Sequence, residues 1–511
     1  MIATVSCAAL MGIDAFTVRL EVDFSRSGMP AFTMVGLAEG AVREAKERVL
    51  SALKNCGFKV PPARITVNLA PADVRKEGSG YDLPLAVGIL TAMGVLAPEQ
   101  SQGWYMAGEL SLTGELTGVP GVLPLALAAR RDGGRGIVVP ADNGREAAVV
   151  KDLPVVGARD LGQVVRLLRG EEEAAPADVD VGTLWDERTV FSADFAEVKG
   201  QEHAKRAIEI AAAGGHNLLF IGPPGSGKTM LAKRIPTVLP PLRFEEALEV
   251  TKIYSVAGLL DKDRALIVTR PFRTPHHTIS DVGLIGGGRY PRPGEVSLAH
   301  RGVLFLDEMP EFKKPVLEVL RQPLEDGEVS ISRSLVSLKY PADIMLVAAM
   351  NPCPCGYLTD GDHPCTCTPR AVQQYRSRIS GPLLDRIDLQ VDVPAVPYKD
   401  LRKARGDVDS ATMRARIGAA RAVQESRYSG LPLLTNADLE GSALERFCKL
   451  DETEHAFLKT AVERLGLSAR AYTRVLRIAR TIADLGGEAT IQAAHLAEAI
   501  NYRTMDRQPT G

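Results

Sequence analysis

The chain has 511 residues, of which 45% are hydrophobic and 24% are charged, and its formal net charge at pH 7 is −2. A chain of this length exceeds what one hydrophobic core organises, so we expect about two to four domains. These proportions exclude a disordered, fibrous or membrane-embedded protein, and the near-neutral charge is not that of a uniformly basic nucleic-acid binder.

The N-terminal segment bears on the location of the protein. Asp14 interrupts the first apolar stretch before that stretch reaches the length of a signal peptide or a membrane span. We therefore expect a cytoplasmic location and no membrane partner.

Residues 1–170 are predicted to form an α/β domain. Strand patterns at 16–22 and 64–68 are interspersed with helical patterns at 39–55 and 83–93. Because both kinds of pattern recur before any other motif appears, we treat this part of the chain as a domain of its own.

Three further segments follow along the chain. Residues 171–193 begin with an acidic, alanine-rich stretch that has almost no large apolar residues, which is typical of an exposed linker. Residues 194–394 alternate helices with short apolar strands, which predicts a largely parallel sheet covered by helices. Residues 395–505 lack strand patterns and are predicted to form arginine-rich amphipathic helices.

A glycine-rich loop between a predicted strand and a predicted helix indicates nucleotide binding. Residues 218–221 form a short apolar run, and the residues that follow match the pattern GxxxxGK[ST]. In this context backbone N–H groups surround phosphates, the lysine adds charge at the β/γ oxygens, and the hydroxyl reaches Mg²⁺. A glycine-rich turn arising by chance would not account for the flanking strand and helix. The predicted contacts to ATP are Gly222, Pro223, Pro224, Gly225, Ser226, Gly227, Lys228 and Thr229.

A pair of acids follows the next apolar strand. Residues 303–306 lead directly into Asp307 and Glu308. An acid at the carboxyl end of such a strand can hold Mg²⁺ and its water, and the next acid can polarise the attacking water. We assign these roles to Asp307 and Glu308 respectively. If both were only solvated acids, the phosphate-binding loop would lack its metal partner.

Three further polar residues are candidates for the same chemistry. The apolar run 344–350 ends in Asn351, which suits a residue that orients water or contacts the γ-phosphate, although an asparagine before proline is also an ordinary turn residue. Arg386 and Arg470 could supply positive charge to phosphoryl transfer. From the residues alone, either arginine could equally be an exposed side chain on a helix.

Four of the seven cysteines lie close together in the chain, as two CxC pairs. Four thiolates can complete a tetrahedral Zn²⁺ site, and the glycines and prolines between the pairs allow the chain to reverse. Unrelated exposed thiols, the alternative, would be prone to oxidation. We predict a structural Zn²⁺ site, with His363 as a substitute ligand. The predicted zinc ligands are Cys353, Cys355, Cys365 and Cys367.

Together these motifs resemble the magnesium-chelatase-like branch of AAA+ proteins and, more closely, the bacterial ComM/YifB family. The resemblance covers nearly the whole chain, and its most specific parts are 271–278, 286–288, 293–302, 351–356 and 468–472. It implies a hexameric, Mg²⁺-dependent ATPase that promotes branch migration of DNA during natural transformation. It also implies an AAA+ core followed by a C-terminal helical lid.

The resemblance assigns the two arginines and a DNA-facing hairpin. It implies that Arg386 is the arginine finger that reaches a neighbouring subunit's ATP, and that Arg470 is the second sensor on the lid. An insertion at 271–298 and a hairpin at 329–340 would then lie in a central pore. Alternation along 327–340 independently predicts a hairpin. On it, Arg333 and Lys339 could hold phosphates without reading base sequence, or could simply be solvated charges.

The N-terminal domain resembles the Lon-protease-like (ribosomal S5 domain 2-like) fold. Gly80 stands where Lon proteases carry their serine, and the next lysine after Lys76 is Lys151, too distant to serve as the base. We therefore interpret Ser79 as a turn residue and the domain as a non-proteolytic relative, with a role in assembly or DNA guidance.

Three functions follow from these interpretations. The first is a hexameric DNA motor that uses ATP, Mg²⁺ and Zn²⁺ and binds single-stranded, duplex or branched DNA irrespective of sequence. The second is a chelatase-type motor that remodels a metal-inserting partner, although such subunits are shorter and are expected to lack the N-terminal domain and the cysteine pairs. The third, an ATP-dependent protease, is disfavoured because the lysine base is missing.

Overall fold

The computed structural model describes residues 2–37, 40–173, 176–187, 191–288, 291–333, 336–361, 363–401, 406 and 408–503. No helix in this described part combines the length and the apolar character that crossing a bilayer requires.

The N-terminal part of the chain forms a mixed sheet flanked by helices. Its strands are β1 (Ile2–Met11), β2 (Asp14–Ser25), β3 (Ala31–Val35), β4 (Arg64–Ala70), β5 (Trp104–Met106), β6 (Glu109–Leu110), β7 (Leu116–Thr117), β8 (Gly136–Pro140) and β9 (Val155–Ala158). Its helices are α1 (Ala41–Asn55), α2 (Asp82–Ala92), α3 (Pro98–Ser101), α4 (Val122–Arg131), α5 (Gly144–Ala147), α6 (Leu161–Arg169) and α7 (Val181–Glu187).

The order of strands in the N-terminal sheet is β3-β4-β2-β1-β5-β8-β9. β1, β2 and β4 pair antiparallel, whereas β5, β8 and β9 join in parallel. Alternate side chains of β2 are buried, including Val18, Leu20 and Val22, as the alternating pattern predicts. α2 packs directly on this face, because a Cβ at Gly88 would lie 2.8 Å from Val22 Cγ2.

The central part of the chain contains the second sheet. Its strands are β10 (Leu218–Ile221), β11 (Phe272–Arg273), β12 (Gly286–Gly287), β13 (Arg292–Pro293), β14 (Val303–Leu306), β15 (Glu328–Arg333), β16 (Val336–Pro341), β17 (Met345–Met350) and β18 (Leu389–Asp392). Its helices are α8 (Glu202–Gly214), α9 (Lys228–Arg234), α10 (Phe244–Ala257), α11 (Asp281–Ile285), α12 (Glu295–Leu298), α13 (Lys314–Glu318), α14 (Pro323–Asp326), α15 (Pro369–Arg376) and α16 (Gly381–Leu384).

The core sheet has the order β11-β14-β17-β10-β18, and its paired strands run parallel. β10, β14 and β17 are buried along their whole length. Strands that are covered by helices on both faces are expected to be continuous apolar runs of this kind. The parallel sheet predicted from the sequence is therefore confirmed, and the carboxyl ends of the three strands meet at one edge.

The C-terminal part of the described chain is helical. Its helices are α17 (Tyr398–Leu401), α18 (Ser410–Arg427), α19 (Gly441–Phe447), α20 (Glu452–Leu465), α21 (Ala469–Leu485) and α22 (Ala493–Asn501). Two of its arginines, both on α18, bind the central part of the chain. Arg421 donates to the carbonyl of Ala212 at the end of α8, and Arg414 donates to the carbonyl of Thr237.

The N-terminal and central parts contact each other through a buried acid. Glu146 accepts hydrogen bonds from the Leu123 N–H at 2.9 Å and from the Ser255 hydroxyl on α10. Burial raises the pKa of this carboxyl, and the hydrogen bonds oppose that effect. Ile13, between β1 and β2, adds an apolar contact to the cluster that contains the β15–β16 hairpin.

Described residues after α6 contact the rest of the chain at two places. The Ala177 N–H donates to the Val155 carbonyl at 2.9 Å, and Pro176 pairs with Val156 on β9. Trp185 in α7 packs against Phe244, with ring centroids 6.2 Å apart. None of the side chains described between 171 and 185 is fully buried, and the first contact arises because the edge of β9 offers backbone groups for pairing.

Candidate nucleotide site and cysteine cluster

The glycine-rich loop lies between β10 and α9, in the strand–loop–helix arrangement predicted. Gly225 and Gly227 have φ values of 77° and 93°, which favour glycine. A Cβ at Gly222 would lie 2.1 Å from the Val393 carbonyl oxygen, so only glycine fits there. The buried hydroxyl of Ser226 has no hydrogen-bond partner among the described residues. The loop therefore has the shape and the spare donor that a bound phosphate requires.

Lys228 begins α9 and turns back over this loop. Its ammonium donates to the carbonyls of Gly222 at 2.7 Å and Pro223 at 2.9 Å, and to Asn351 Oδ1 at 3.2 Å. Burial lowers the pKa of Lys228, and the nearby carboxylates of Asp307 and Glu308 oppose that effect. The site thus places one partly desolvated positive charge beside the loop, where an anion binds most strongly.

Asp307 and Glu308 follow β14 at the same edge of the sheet. The Thr229 hydroxyl donates to Asp307 Oδ2 at 2.7 Å, so the two predicted Mg²⁺ ligands already lie together. Glu308 is exposed, and its backbone adopts the left-handed region with φ 50°. A non-glycine residue in this conformation is uncommon and is often found at functional sites. The donor set of hydroxyl and carboxylate oxygens fits Mg²⁺.

Asn351 follows β17, which lies between β10 and β14 in the sheet. Met350 pairs with Ile221 in the parallel register, so the two residues that follow, Asn351 and Gly222, project from neighbouring strand ends. The structure therefore brings the side chain of Asn351 to Lys228, as its position in the chain predicted. The polar residues predicted for hydrolysis thus lie at one edge of the sheet: Lys228, Thr229, Asp307, Glu308 and Asn351.

Arg386 and Arg470 lie together but apart from this group. Arg386 forms an ion pair with Glu325 and donates to the Pro382 carbonyl at 2.8 Å. Arg470, in the first turn of α21, lies 3.4 Å from Asp385 Oδ2. Both arginines line a cavity of about 1460 Å³, and the described residues that line it do not include the glycine-rich loop.

Family models match most of the chain. A model described as "Magnesium chelatase, subunit ChlI" matches residues 194–401. "Subunit ChlI of Mg-chelatase" matches residues 20–143, and "Magnesium chelatase, subunit ChlI C-terminal" matches residues 407–503.

Related proteins extend the match over nearly the full length. The chain is 46% identical to "Competence protein ComM" of Haemophilus influenzae, over 99% of this chain and 98% of that protein. It is 44% identical to the uncharacterized protein YifB of Escherichia coli, with the same coverage. The chain belongs to the ComM/YifB family of magnesium-chelatase-like AAA+ proteins. The magnesium-chelatase 38 kDa subunit of Rhodobacter capsulatus is 25% identical over 60% of this chain and 85% of its own length.

The ComM/YifB-family chain brings its cysteine pairs into one cluster. The four sulfur atoms lie within 4.8 Å of one another. Cys353 Sγ is 3.4 Å from Cys355 Sγ and 3.7 Å from Cys365 Sγ, and the Cys355 N–H donates to Cys367 Sγ at 3.4 Å. Sulfurs around a tetrahedral Zn²⁺ at about 2.3 Å would be roughly 3.8 Å apart, so the thiols are already close to that geometry.

The chemistry of the cluster also fits a metal. Hydrogen bonding, first of all from the Tyr357 backbone, lowers the pKa of Cys355 to about 6, so its thiolate forms near neutral pH. For Cys365 and Cys367 a backbone hydrogen bond is outweighed by burial and the neighbouring thiols, which raise the pKa. A thiolate is the form that binds metal. His363 contacts Asp360 at 3.0 Å and packs against the Tyr357 ring at a tilt instead of joining the sulfurs, so the structure does not favour it as a substitute ligand.

The predicted hairpin is present as β15 and β16. Its antiparallel register pairs Val329 with Tyr340 and Arg333 with Val336. Lys339 forms an ion pair with Glu328 on the opposite strand, and it also lines the cavity that contains Arg386. The side chain of Arg333 lies outside the described residues. The predicted insertion at 271–298 contains β12 and β13, and the Tyr340 hydroxyl on the hairpin donates to the Pro291 carbonyl between them.

Sequence reasoning missed the residues that hold Arg386. Glu325 binds its guanidinium, and Asn217 donates from Nδ2 to its backbone carbonyl at 2.8 Å. Glu325 lies 61 residues away in the chain and Asn217 169 residues away. The one available signal was the position of Asn217, a polar residue directly before the strand of the glycine-rich loop.

Proposed function

We propose that this chain is an ATP-hydrolysing motor that acts on DNA as a hexameric ring and promotes branch migration of recombination intermediates. The relative named "Competence protein ComM" matches over nearly the full length of both chains, which supports a role in the uptake or recombination of DNA. The residues of the nucleotide site support the hydrolytic part of this proposal, and the surface charges support the DNA part.

Each residue at the sheet edge has a part in hydrolysis. Lys228 binds the β/γ-phosphate oxygens, while Thr229 and Asp307 hold Mg²⁺, which supplies the charge that polarises the transferred phosphoryl group. Glu308 is exposed beside them and accepts the proton of the attacking water. Asn351 orients that water or contacts the γ-phosphate. These roles need the residues to converge, and the Thr229–Asp307 and Lys228–Asn351 contacts support them.

The observation that carries the proposal of a ring is the separation of the arginines from the phosphate-binding loop. Arg386 and Arg470 line a cavity that is distinct from the loop of their own chain. A guanidinium that is to stabilise phosphoryl transfer must therefore reach the ATP of a neighbouring subunit. A closed ring supplies every subunit with such a neighbour.

The exposed hairpin offers phosphate contacts. Lys339 is 67% exposed, and its pair with Glu328 is of the surface kind that contributes little free energy. A DNA phosphate can therefore compete for this ammonium. We propose the same role for Arg333 on the opposite strand, and binding of this kind is independent of base sequence.

Salt dependence tests these contacts. We expect DNA affinity to fall with salt, with a log–log slope of about −0.9 for each phosphate neutralised on duplex DNA. Lys339→Ala should flatten the slope by about one such increment, whereas Lys262→Ala, which removes an exposed lysine paired with Asp142, should leave it unchanged. Fluorescence anisotropy with a labelled duplex measures both. An unchanged slope in Lys339→Ala would remove this residue from the DNA interface.

The experiment that tests the proposed function is ATP-dependent resolution of a labelled four-way junction by the purified protein, with Lys228→Ala as the inactive control. The second candidate is a chelatase-type motor, which the names of the matching family models favour. Because one of those models covers residues 20–143, an N-terminal domain does not separate the two candidates. An active ATPase that neither binds DNA at low salt nor resolves the junction would favour the chelatase-type motor.

We also propose that the cysteine cluster holds a structural Zn²⁺. The protein should contain about one Zn²⁺ per chain, because four thiolates close the coordination shell. The double variant Cys353→Ser/Cys355→Ser should lose the metal, whereas Cys56→Ser, which changes a cysteine outside the cluster, should retain it. Elemental analysis by mass spectrometry decides between these outcomes. Equal zinc content in the two variants would contradict the site.

A further inference from the structure

Asn217 joins two parts of the molecule that the sequence keeps far apart. Its Nδ2 donates to the Arg386 carbonyl at 2.8 Å, and its Oδ1 accepts from the Leu346 N–H at 2.8 Å. One side-chain amide thus connects the segment that carries the proposed finger to β17. Asn217 is itself the residue directly before β10.

The backbone of Asn217 strengthens the same connection. Its N–H donates to Asp388 Oδ2 at 2.9 Å, and its carbonyl accepts from the N–H groups of Asp388 at 3.1 Å and Leu389 at 3.0 Å. The Asp388 carboxylate also lies 3.3 Å from Nε of Arg474, one helical turn after Arg470 on α21. The segment of Arg386 is therefore fixed to the start of β10 by side-chain and backbone bonds together.

The two strands that meet at Asn217 carry the nucleotide residues at their other ends. β10 leads into the glycine-rich loop, and β17 leads into Asn351. Both strands are short and fully buried, so they move as rigid, packed elements. The two strands therefore form a continuous packed connection between Asn217 and the residues of the nucleotide site.

The guanidinium and the backbone of Arg386 have separate partners. The guanidinium, whose side chain is 13% exposed, pairs with the 63% exposed Glu325 and donates to the Pro382 carbonyl at 2.8 Å. To act on a phosphate the head group must leave these partners, while the backbone carbonyl stays anchored on Asn217. The anchor sets where the arginine can reach.

From this geometry we infer that Asn217 is a positioning residue that couples the nucleotide site of each subunit to the arginine which that subunit presents to its neighbour. The inference rests on the proposed function, in which Arg386 acts on the ATP of another subunit. It adds a specific physical link, through which binding of ATP in one subunit changes hydrolysis in the next. ATP then acts cooperatively around the ring, because occupancy of one subunit's site changes the arginine that reaches the next subunit's ATP.

The variants Asn217→Asp and Asn217→Ala test this link together. Aspartate has the same shape and keeps an acceptor for the Leu346 N–H, but it replaces the Nδ2 donor with an oxygen that repels the Arg386 carbonyl. Alanine removes both side-chain bonds without adding a charge beside Asp388, so a fall in kcat that both variants share reports the lost anchor. A misplacement of about 1 Å can lower a rate roughly 10²-fold, so we expect kcat to fall about 10- to 100-fold. The KM and the Kd for ATP should stay within about twofold of wild type, because the glycine-rich loop is intact. The Hill coefficient for ATP should fall toward one.

A control is Asn55→Asp in the N-terminal domain. The exposed Asn55 amide also donates to a backbone carbonyl, that of Leu112, at 2.7 Å. The same substitution there should leave kcat and the Hill coefficient unchanged. Thermal denaturation and gel filtration of both variants report folding and assembly. If Asn217→Asp does not assemble, the test uses Asn217→Ala alone, which removes both side-chain bonds without adding charge.

Mixed rings separate the inference from the proposal on which it rests. Asn217→Asp subunits keep a working loop and should regain activity when mixed with Lys228→Ala subunits, which present an unaltered arginine. If Arg386→Ala subunits are not rescued in this way, the proposal of action between subunits fails. If Arg386→Ala subunits are rescued, three results for Asn217→Asp overturn the inference about Asn217. These are a full kcat of the variant alone, a loss of ATP affinity, and a failure to regain activity in mixed rings.

Discussion

Arg386→Ala is expected to lower kcat for ATP by about 10³-fold while leaving ATP binding close to wild type. Arginine fingers contribute roughly 10³ to 10⁵ in turnover where they have been measured. The proposed hexameric ring is expected at the lower end of that range, because its sites would act partly independently. The reason is electrostatic, because the guanidinium follows the negative charge that develops on the transferred phosphoryl group. Turnover is measured by phosphate release, and binding by a fluorescent ATP analogue.

The control for this variant is Arg321→Ala. Arg321 is an exposed arginine paired with Glu318 at 3.2 Å, so its removal reports the effect of losing a surface ion pair alone. Mixing inactive Arg386→Ala and Lys228→Ala subunits should restore part of the activity, since some interfaces then combine an intact loop with an intact arginine. Normal hydrolysis by Arg386→Ala alone would show that this arginine has no role in catalysis.

Local patterns in the sequence were sufficient to predict which residues of the proposed nucleotide site converge at the sheet edge. The strand, the glycine-rich loop and the acids Asp307 and Glu308 are each defined within a few residues, and parallel strands place their carboxyl ends at one edge. The convergence of Thr229 with Asp307 and of Lys228 with Asn351 follows from that rule. The hairpin at 329–340 was also predictable, because the alternating residue pattern of its two strands is a local signal.

Contacts between distant segments could not be predicted in this way. Nothing near Asn217 in the sequence indicates that its amide binds the carbonyl of Arg386. Pairing of Pro176 with Val156 likewise depends on the edge of β9, which the acidic segment itself does not reveal. Arg414 and Arg421 on α18 bind carbonyls of the core, and no neighbouring residue indicates those partners. In each case the partner is set by tertiary packing rather than by neighbouring residues.

Glu308→Gln is expected to separate nucleotide binding from movement on DNA. Glutamine keeps the size of the side chain and leaves the Thr229–Asp307 contact intact. The variant should therefore still bind ATP and Mg²⁺ and still assemble into a ring. It cannot accept a proton from water, and loss of a general base costs about 10²- to 10⁴-fold in rate. We therefore expect a protein that binds ATP, assembles and holds DNA.

The same variant should fail to resolve a labelled four-way junction, because translocation requires repeated hydrolysis. Glu311→Gln is the matched control, since this exposed acid lies three residues further on and pairs with Arg378 at 2.9 Å. Its kcat and junction activity should equal those of wild type. If Glu308→Gln hydrolysed ATP at the wild-type rate, another residue would have to activate the water. If it resolved junctions without hydrolysis, ATP binding alone would drive the movement and the proposed motor cycle would be wrong.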